Sequence, residues 1–216
     1  MQESNMQNKS LIGVVSITFA LSMAYGILRY NIMGPVPWKD LPLFILNKGV
    51  SLSSFILLTA SFSIGPLTNL GIKIPLNLVN SRRAFGVIGF ILAMIHMLIS
   101  LVLFNPVMYE KFFLENGSLS FSAGLSMLGG IVSIVVLWYY NLSLKNRIKE
   151  GKPFNPFFSS RNFILTTLFF VAVHLFFMDY NNWLTRSDWY GSPHPISLVS
   201  FVFLTIGYII NLIGRK

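Results

Sequence analysis

The chain has no cysteine. Disulfides, thiolate metal ligands and cysteine-held iron–sulfur clusters are therefore excluded. Charge is scarce as well. Only 11% of the 216 residues are Asp, Glu, Lys or Arg, where a soluble domain carries about 25%. Also missing are a phosphate-binding glycine loop, zinc-ligand spacing and any histidine pair at the helical spacing of a metalloprotease. The glycines from Gly124 to Gly130 are no dinucleotide fingerprint, because no strand precedes them.

What is present is apolar. Hydrophobic residues make up 54% of the chain, and the mean hydropathy is +0.66. The sequence predicts an all-α, polytopic membrane protein, a bundle of six transmembrane helices whose partner is the lipid bilayer. Residues 1–10 are expected to be a disordered cytoplasmic N-terminus, residues 11–213 the transmembrane domain, and residues 214–216 a cytoplasmic C-terminus. The expected spans are Leu11–Leu28, Val50–Gly65, Ala84–Phe104, Phe121–Tyr140, Phe163–Met178 and Ile196–Ile213. Ser22-Met23-Ala24 has the form of a signal-peptidase site, but apolar residues continue to Leu28 and the segment reads as a span. Asn31–Gly49, with three prolines and Trp38, is expected to lie along the membrane surface. The second span carries five serines and a threonine, so it should pack against other helices and be ended by Pro66.

The net charge of +9 would point to nucleic acid in a soluble protein. Here the basic residues fall between apolar runs, and no nucleic-acid partner is expected. With a cytoplasmic N-terminus, the inner segments hold eleven of the sixteen basic residues, most densely from Lys145 to Arg161. The positive-inside rule then puts both termini in the cytoplasm. No Asp or Glu falls in any expected span, which counts against a small proton-coupled transporter.

Two of the three histidines sit inside apolar runs. His96 lies twelve residues past Ala84, and His174 eleven past Phe163. The two spans run in the same direction, so both imidazoles are expected about 17 Å from the cytoplasmic side, at one level. Matched depth on parallel helices is what two axial ligands of one metal require, and a neutral, buried imidazole is the ligating form. Ala93, Gly89 and Gly86 lie on the histidine side of the third span. Such a groove admits either a neighbouring helix or a flat ring. Phe170, Val171 and Phe177 supply an apolar wall around His174. Bis-histidine ligation saturates haem iron and suits electron transfer. Each histidine also has a plainer reading as a hydrogen-bonded packing residue in a cofactor-free structural or accessory protein. His194, in a Ser-Pro-His-Pro loop, is expected at the outer surface. Arg186 or Lys111 are the outer cations that a haem propionate would meet.

The segment Ser81-Arg82-Arg83-Ala84-Phe85-Gly86 through Ile95-His96, with Asn47-Lys48-Gly49 before it and Gly65-Pro66-Leu67 between, resembles the ferric-reductase-like transmembrane domains. That superfamily includes NADPH oxidases, ferric reductases and the haem membrane subunit of the bacterial periplasmic methionine sulfoxide reductase system. The likeness covers about residues 47–178. It implies a haem-binding core there, with b-type haem held between His96 and His174, and it implies the bacterial inner (plasma) membrane. Two-haem members carry a second histidine about four turns away on each helix. The corresponding positions here are Arg82 and Ser160 on one side, Glu110 and Asp188 on the other, so one haem is expected. The electron donor is expected to be a quinol or a separate flavoprotein, the quinone or flavin being supplied by that partner.

Overall fold

The computed structural model describes residues 2–150, 157, 160–189 and 191–214, without the side chains of 2–9, 144, 146–150 and 188. Among them are six long helices: α1 Gln2–Ile27, α2 Leu46–Asn69, α3 Leu76–Leu103, α4 Phe121–Glu150, α5 Arg161–Trp183 and α6 Ile196–Gly214. Each contains a stretch long and apolar enough to cross a membrane. The protein is an all-α, six-helix membrane bundle. Its backbone polar groups are satisfied within each helix, as an apolar solvent demands.

Successive helices run up and down. Hydrogen bonds tie the end that holds both termini, from Asn77 Nδ2 to Ser10 Oγ at 2.7 Å and from Asn69 Nδ2 to the Gly214 carbonyl at 3.1 Å. At the opposite, distal end, the Tyr25 hydroxyl donates to the His194 carbonyl at 2.7 Å, and Arg29 donates to the Pro193 carbonyl. Outward faces are apolar. On α3, Ile91, Ile95, Leu98 and Val102 are exposed at helical spacing; on α4, Leu128, Ile131, Val135 and Trp138 repeat the pattern.

The serine-rich α2 is the hub, as its composition predicts. It packs along α1, α3 and α6, while α4 packs along α5 and α5 along α6. Small residues set the close approaches. A Cβ on Gly49 would strike Met23 of α1, one on Gly89 would strike Leu57 and Leu58, and one on Gly207 would strike Thr59. Ser54 of α2 donates to the Gly89 carbonyl at 2.8 Å. By contrast, α3 and α5 scarcely touch.

Several boundaries differ from expectation. Helix α1 reaches back to Gln2, through residues expected to be disordered; Gln, Glu, Met and Lys are good helix formers, and no Gly or Pro intervenes before Gly13. The expected surface stretch Asn31–Gly49 is mostly helical. A π-helical turn, Leu28–Ile32, extends α1, and another, Leu41–Ile45, leads into α2. Pro42 sits in that second turn's first positions, where a missing N–H costs little. Pro66 does not end α2. It lies in the last turn, and its carbonyl accepts from Leu70 at 3.0 Å. Helix α3 starts at Leu76 after Pro75, so the exposed Arg82 and Arg83 are helical rather than in a loop. Helix α4 continues ten residues past Tyr140.

Lys145 and Arg161, which bound the expected basic loop, are exposed. The side chains of Arg147 and Lys149, and residues Lys152, Arg215 and Lys216, lie outside the described residues.

Candidate functional site

The two intramembrane histidines stand at one level of the bundle. His96 lies seven residues short of the distal end of α3, and His174 nine short of the distal end of α5. Counted from those ends, their depths agree to about 3 Å. Both side chains are half-buried.

Each ring is oriented by a neighbouring helix. His96 Nδ1 lies 2.7 Å from Oδ1 of Asn47, a fully buried residue on the first turn of α2. The Asn47 amide nitrogen donates to Ser100 Oγ at 2.9 Å and reaches the Tyr109 hydroxyl at 3.4 Å. The amide oxygen is thereby turned toward the His96 ring. His174 Nδ1 lies 2.9 Å from the Ser126 carbonyl on α4. A carbonyl oxygen only accepts, so in each ring Nδ1 carries the proton. The lone pair of a neutral imidazole is then on Nε2. Neither Nε2 has a hydrogen-bond partner among the described residues.

Helix α4 also presses its backbone against His174. A Cβ on Gly130 would lie 2.9 Å from His174 Nδ1, and one on Gly129 would lie 2.8 Å from the His174 backbone nitrogen. The glycines expected to be close-packing points at 129 and 130 are so used, while Gly124 has nothing within 4 Å. Ser126 closes the contact by donating its hydroxyl to the His174 carbonyl at 2.9 Å.

The groove on α3 serves a different neighbour from the ring entertained for it. Gly89 is buried against Leu57 and Leu58, and Gly86 faces Ser61, all on α2. These positions let a helix approach, because the heavy packing between α2 and α3 lies on that face. Gly89 therefore belongs to the helix contact rather than to the ligand side. Ala93 remains half-buried one turn before His96. Val171 is buried in the core cluster with Leu58, Phe62 and Leu204, and Phe177 stacks edge-on to Phe176 and Tyr180.

The distal end of the bundle carries charge. Lys48, one residue past Asn47, holds its ammonium 5.0 Å from the Phe44 ring and 5.3 Å from the Tyr109 ring. Lys111 pairs with Asp179 of α5 at 2.6 Å. Asp179 also accepts from Ser197 and Asn182, each at 2.7 Å. This carboxylate lies in the last turns of α5, one residue past the expected end of the span at Met178, and its basic partner compensates it. His194 is exposed, with its ring 4.6 Å from Trp189. Arg186 is exposed as well.

Asn47 is the ring-orienting residue that sequence reasoning undervalued. It entered only as part of a motif, and its signal was an uncompensated amide at the edge of an apolar span. Among the described residues, no group of three or more His, Asp or Glu side chains gathers to hold a metal ion; the two imidazoles form a smaller set. No protein-family model matches the chain, and no curated protein matches it.

Proposed function

We propose that this protein is a membrane subunit of ferric-reductase type, which holds one b-type haem between His96 and His174 and passes electrons across the bilayer. The observation that carries the reading is the pair of Nδ1 hydrogen bonds, to Asn47 Oδ1 and to the Ser126 carbonyl. They fix both tautomers with Nε2 available, the orientation that outer hydrogen bonds give to metal-ligating imidazoles. The residues fit the group in two further respects. Helices α3 and α5 are not packed on one another, and Gly130 keeps a side chain off the flank of His174.

A bis-histidine haem supplies one-electron exchange with both axial positions filled. His96 and His174 would hold the iron, Asn47 and Ser126 would hold the imidazoles, and the surrounding apolar helices would keep water away. The donor is a quinol or a flavoprotein partner. With both termini in the cytoplasm of a bacterial inner membrane, the histidines lie toward the outer face. The expected result of His96→Ala or His174→Ala is loss of bound haem from a protein that still inserts in the membrane. Wild-type haem content in both variants overturns the assignment.

A cofactor-free bundle is the second reading. It is favoured by the same hydrogen bonds, which already join α3 to α2 and α5 to α4. It predicts a colourless protein in which the histidine variants lose only stability.

A further inference from the structure

Helix α3 is 28 residues long, whereas about 20 suffice to cross a hydrocarbon core of roughly 30 Å. Counted back from Leu103, where the helix ends, such a crossing reaches Ala84 and includes no charged Lys, Arg, Asp or Glu. Arg82 and Arg83 therefore stand at the headgroup level, at the end that holds both termini. Both are exposed, and among the described residues neither forms an ion pair. As helix neighbours they leave α3 on different sides. Arg82 turns toward α2. A Cβ on Gly65 would lie 2.5 Å from its Nη1, so the missing side chain gives the guanidinium room. Arg83 starts the outward row. Steps of four residues lead from it through the half-buried Val87 to the exposed Ile91 and Ile95. Ile91 lies about 12 Å from Arg83 along the axis, inside one leaflet of roughly 15 Å. The turn before α3 adds the exposed Lys73, flanked by the exposed Ile72 and Leu76. Cations beside apolar side chains suit a membrane interface.

We propose that an anionic phospholipid binds here, its phosphate held by Arg82 and Arg83 and an acyl chain lying along the row from Val87 to Ile95. The planar fork of an arginine matches a pair of phosphate oxygens. Neither α2 nor α3 carries an Asp or Glu that would repel the headgroup. The apolar row decides between a lipid and an acidic soluble protein. A lipid meets cation and row together, whereas a soluble partner would meet the cations alone. The site stands apart from the histidine pair and does not depend on haem.

The test is native mass spectrometry of the full-length protein, released from detergent micelles that hold equal amounts of phosphatidylglycerol and phosphatidylcholine with the same acyl chains. The ratio of the two retained lipids is read within each variant, so a general loss of stability cancels. Wild type is expected to favour phosphatidylglycerol by about fivefold or more, the value of one basic residue at an anionic surface. The double variant Arg82→Gln/Arg83→Gln should bring the ratio close to one, and Arg82→Lys/Arg83→Lys should keep part of the preference. Lys145→Gln, which removes an exposed cation of α4 at the same end, should leave the ratio unchanged. A ratio near one in wild type overturns the inference, as does a preference that survives the double glutamine substitution. An equal loss in Lys145→Gln also overturns it, because diffuse surface charge would then account for the preference. Binding of soluble poly-glutamate by wild type, lost in the double glutamine variant while the lipid ratio stays near one, would assign the arginines to an acidic protein partner instead.

Discussion

His174 and Ser126 exchange two hydrogen bonds across the α4–α5 contact. The imidazole Nδ1–H donates to the Ser126 carbonyl at 2.9 Å, and the Ser126 hydroxyl donates to the His174 carbonyl at 2.9 Å. The bond that orients the ring uses backbone, so Ser126→Ala should leave it in place. The expected cost is about 0.6 kcal/mol, typical of an interhelical hydrogen bond in a membrane protein. Haem content should stay at the wild-type level, and pigment content together with thermal melting in detergent reads both effects.

Gly130 and Gly124 lie on the same helix with opposite surroundings. A methyl group on Gly130 would press on His174 Nδ1, whereas one on Gly124 meets nothing within 4 Å. Gly130→Ala is expected to displace the imidazole and lower haem occupancy at least several-fold. Gly124→Ala should be neutral, or slightly stabilising through helix propensity. Equal haem occupancy in the two variants would show that His174 does not need its present position.

Asn47 supplies the acceptor for His96. Asn47→Leu keeps the branched shape and removes that acceptor, leaving the imidazole N–H only the more distant Ser100 hydroxyl at 3.4 Å. Loss of a ring-orienting partner typically costs 10–100-fold in metal affinity. A drop of that size in haem affinity is expected, measured by titration of the apoprotein. An unchanged affinity would mean that the Asn47–His96 bond serves packing only.

Gly89 tests packing apart from ligand chemistry. An added Cβ would come within 2.9 Å of Leu58 Cγ and 3.1 Å of its backbone nitrogen. Gly89→Ala is therefore expected to push α3 from α2 and destabilise the bundle by roughly 1–3 kcal/mol. A lowered melting temperature in detergent reports it, and the apoprotein should show it as clearly as the loaded protein.

Asp179 gathers Lys111, Ser197 and Asn182 around one carboxylate. Asp179→Ala strands all three and should cost roughly 1.5–3 kcal/mol, the range for hydrogen bonds to a charged group. Lys111→Ala should cost less, under about 1 kcal/mol, because its end of the pair is 45% exposed. Detergent melting of the two variants checks the order, and reversal would place the stabilising charge on the lysine.

Six apolar runs announce six helices, and the hydroxyl content of α2 announces the hub, because such residues are poor lipid partners. The shared depth of His96 and His174 follows from counting along two parallel spans. What could not be read is which neighbour each face meets. In a membrane, lipid and protein interior are both apolar, so the pattern that separates core from surface in a soluble helix is weak. Gly89 illustrates this, since its small size fits a ring or a helix equally well, and only the packing of α2 decides. Helix ends were also hidden. Pro42 and Pro66 look like breaks, yet Pro42 sits in a first turn, where a missing N–H costs little, and Pro66 lies within α2 three residues before its end. The buried Asn47 was obscured by the same assumption, that α2 begins only at Val50.

The most direct measurement is the visible and electron paramagnetic resonance spectrum of the detergent-purified protein, expressed with ample haem and examined oxidised and then reduced. One low-spin, six-coordinate b-type haem per chain, lost in both His96→Ala and His174→Ala, is the predicted result. A colourless wild-type protein under those conditions, or a pigment that survives both substitutions, would contradict it.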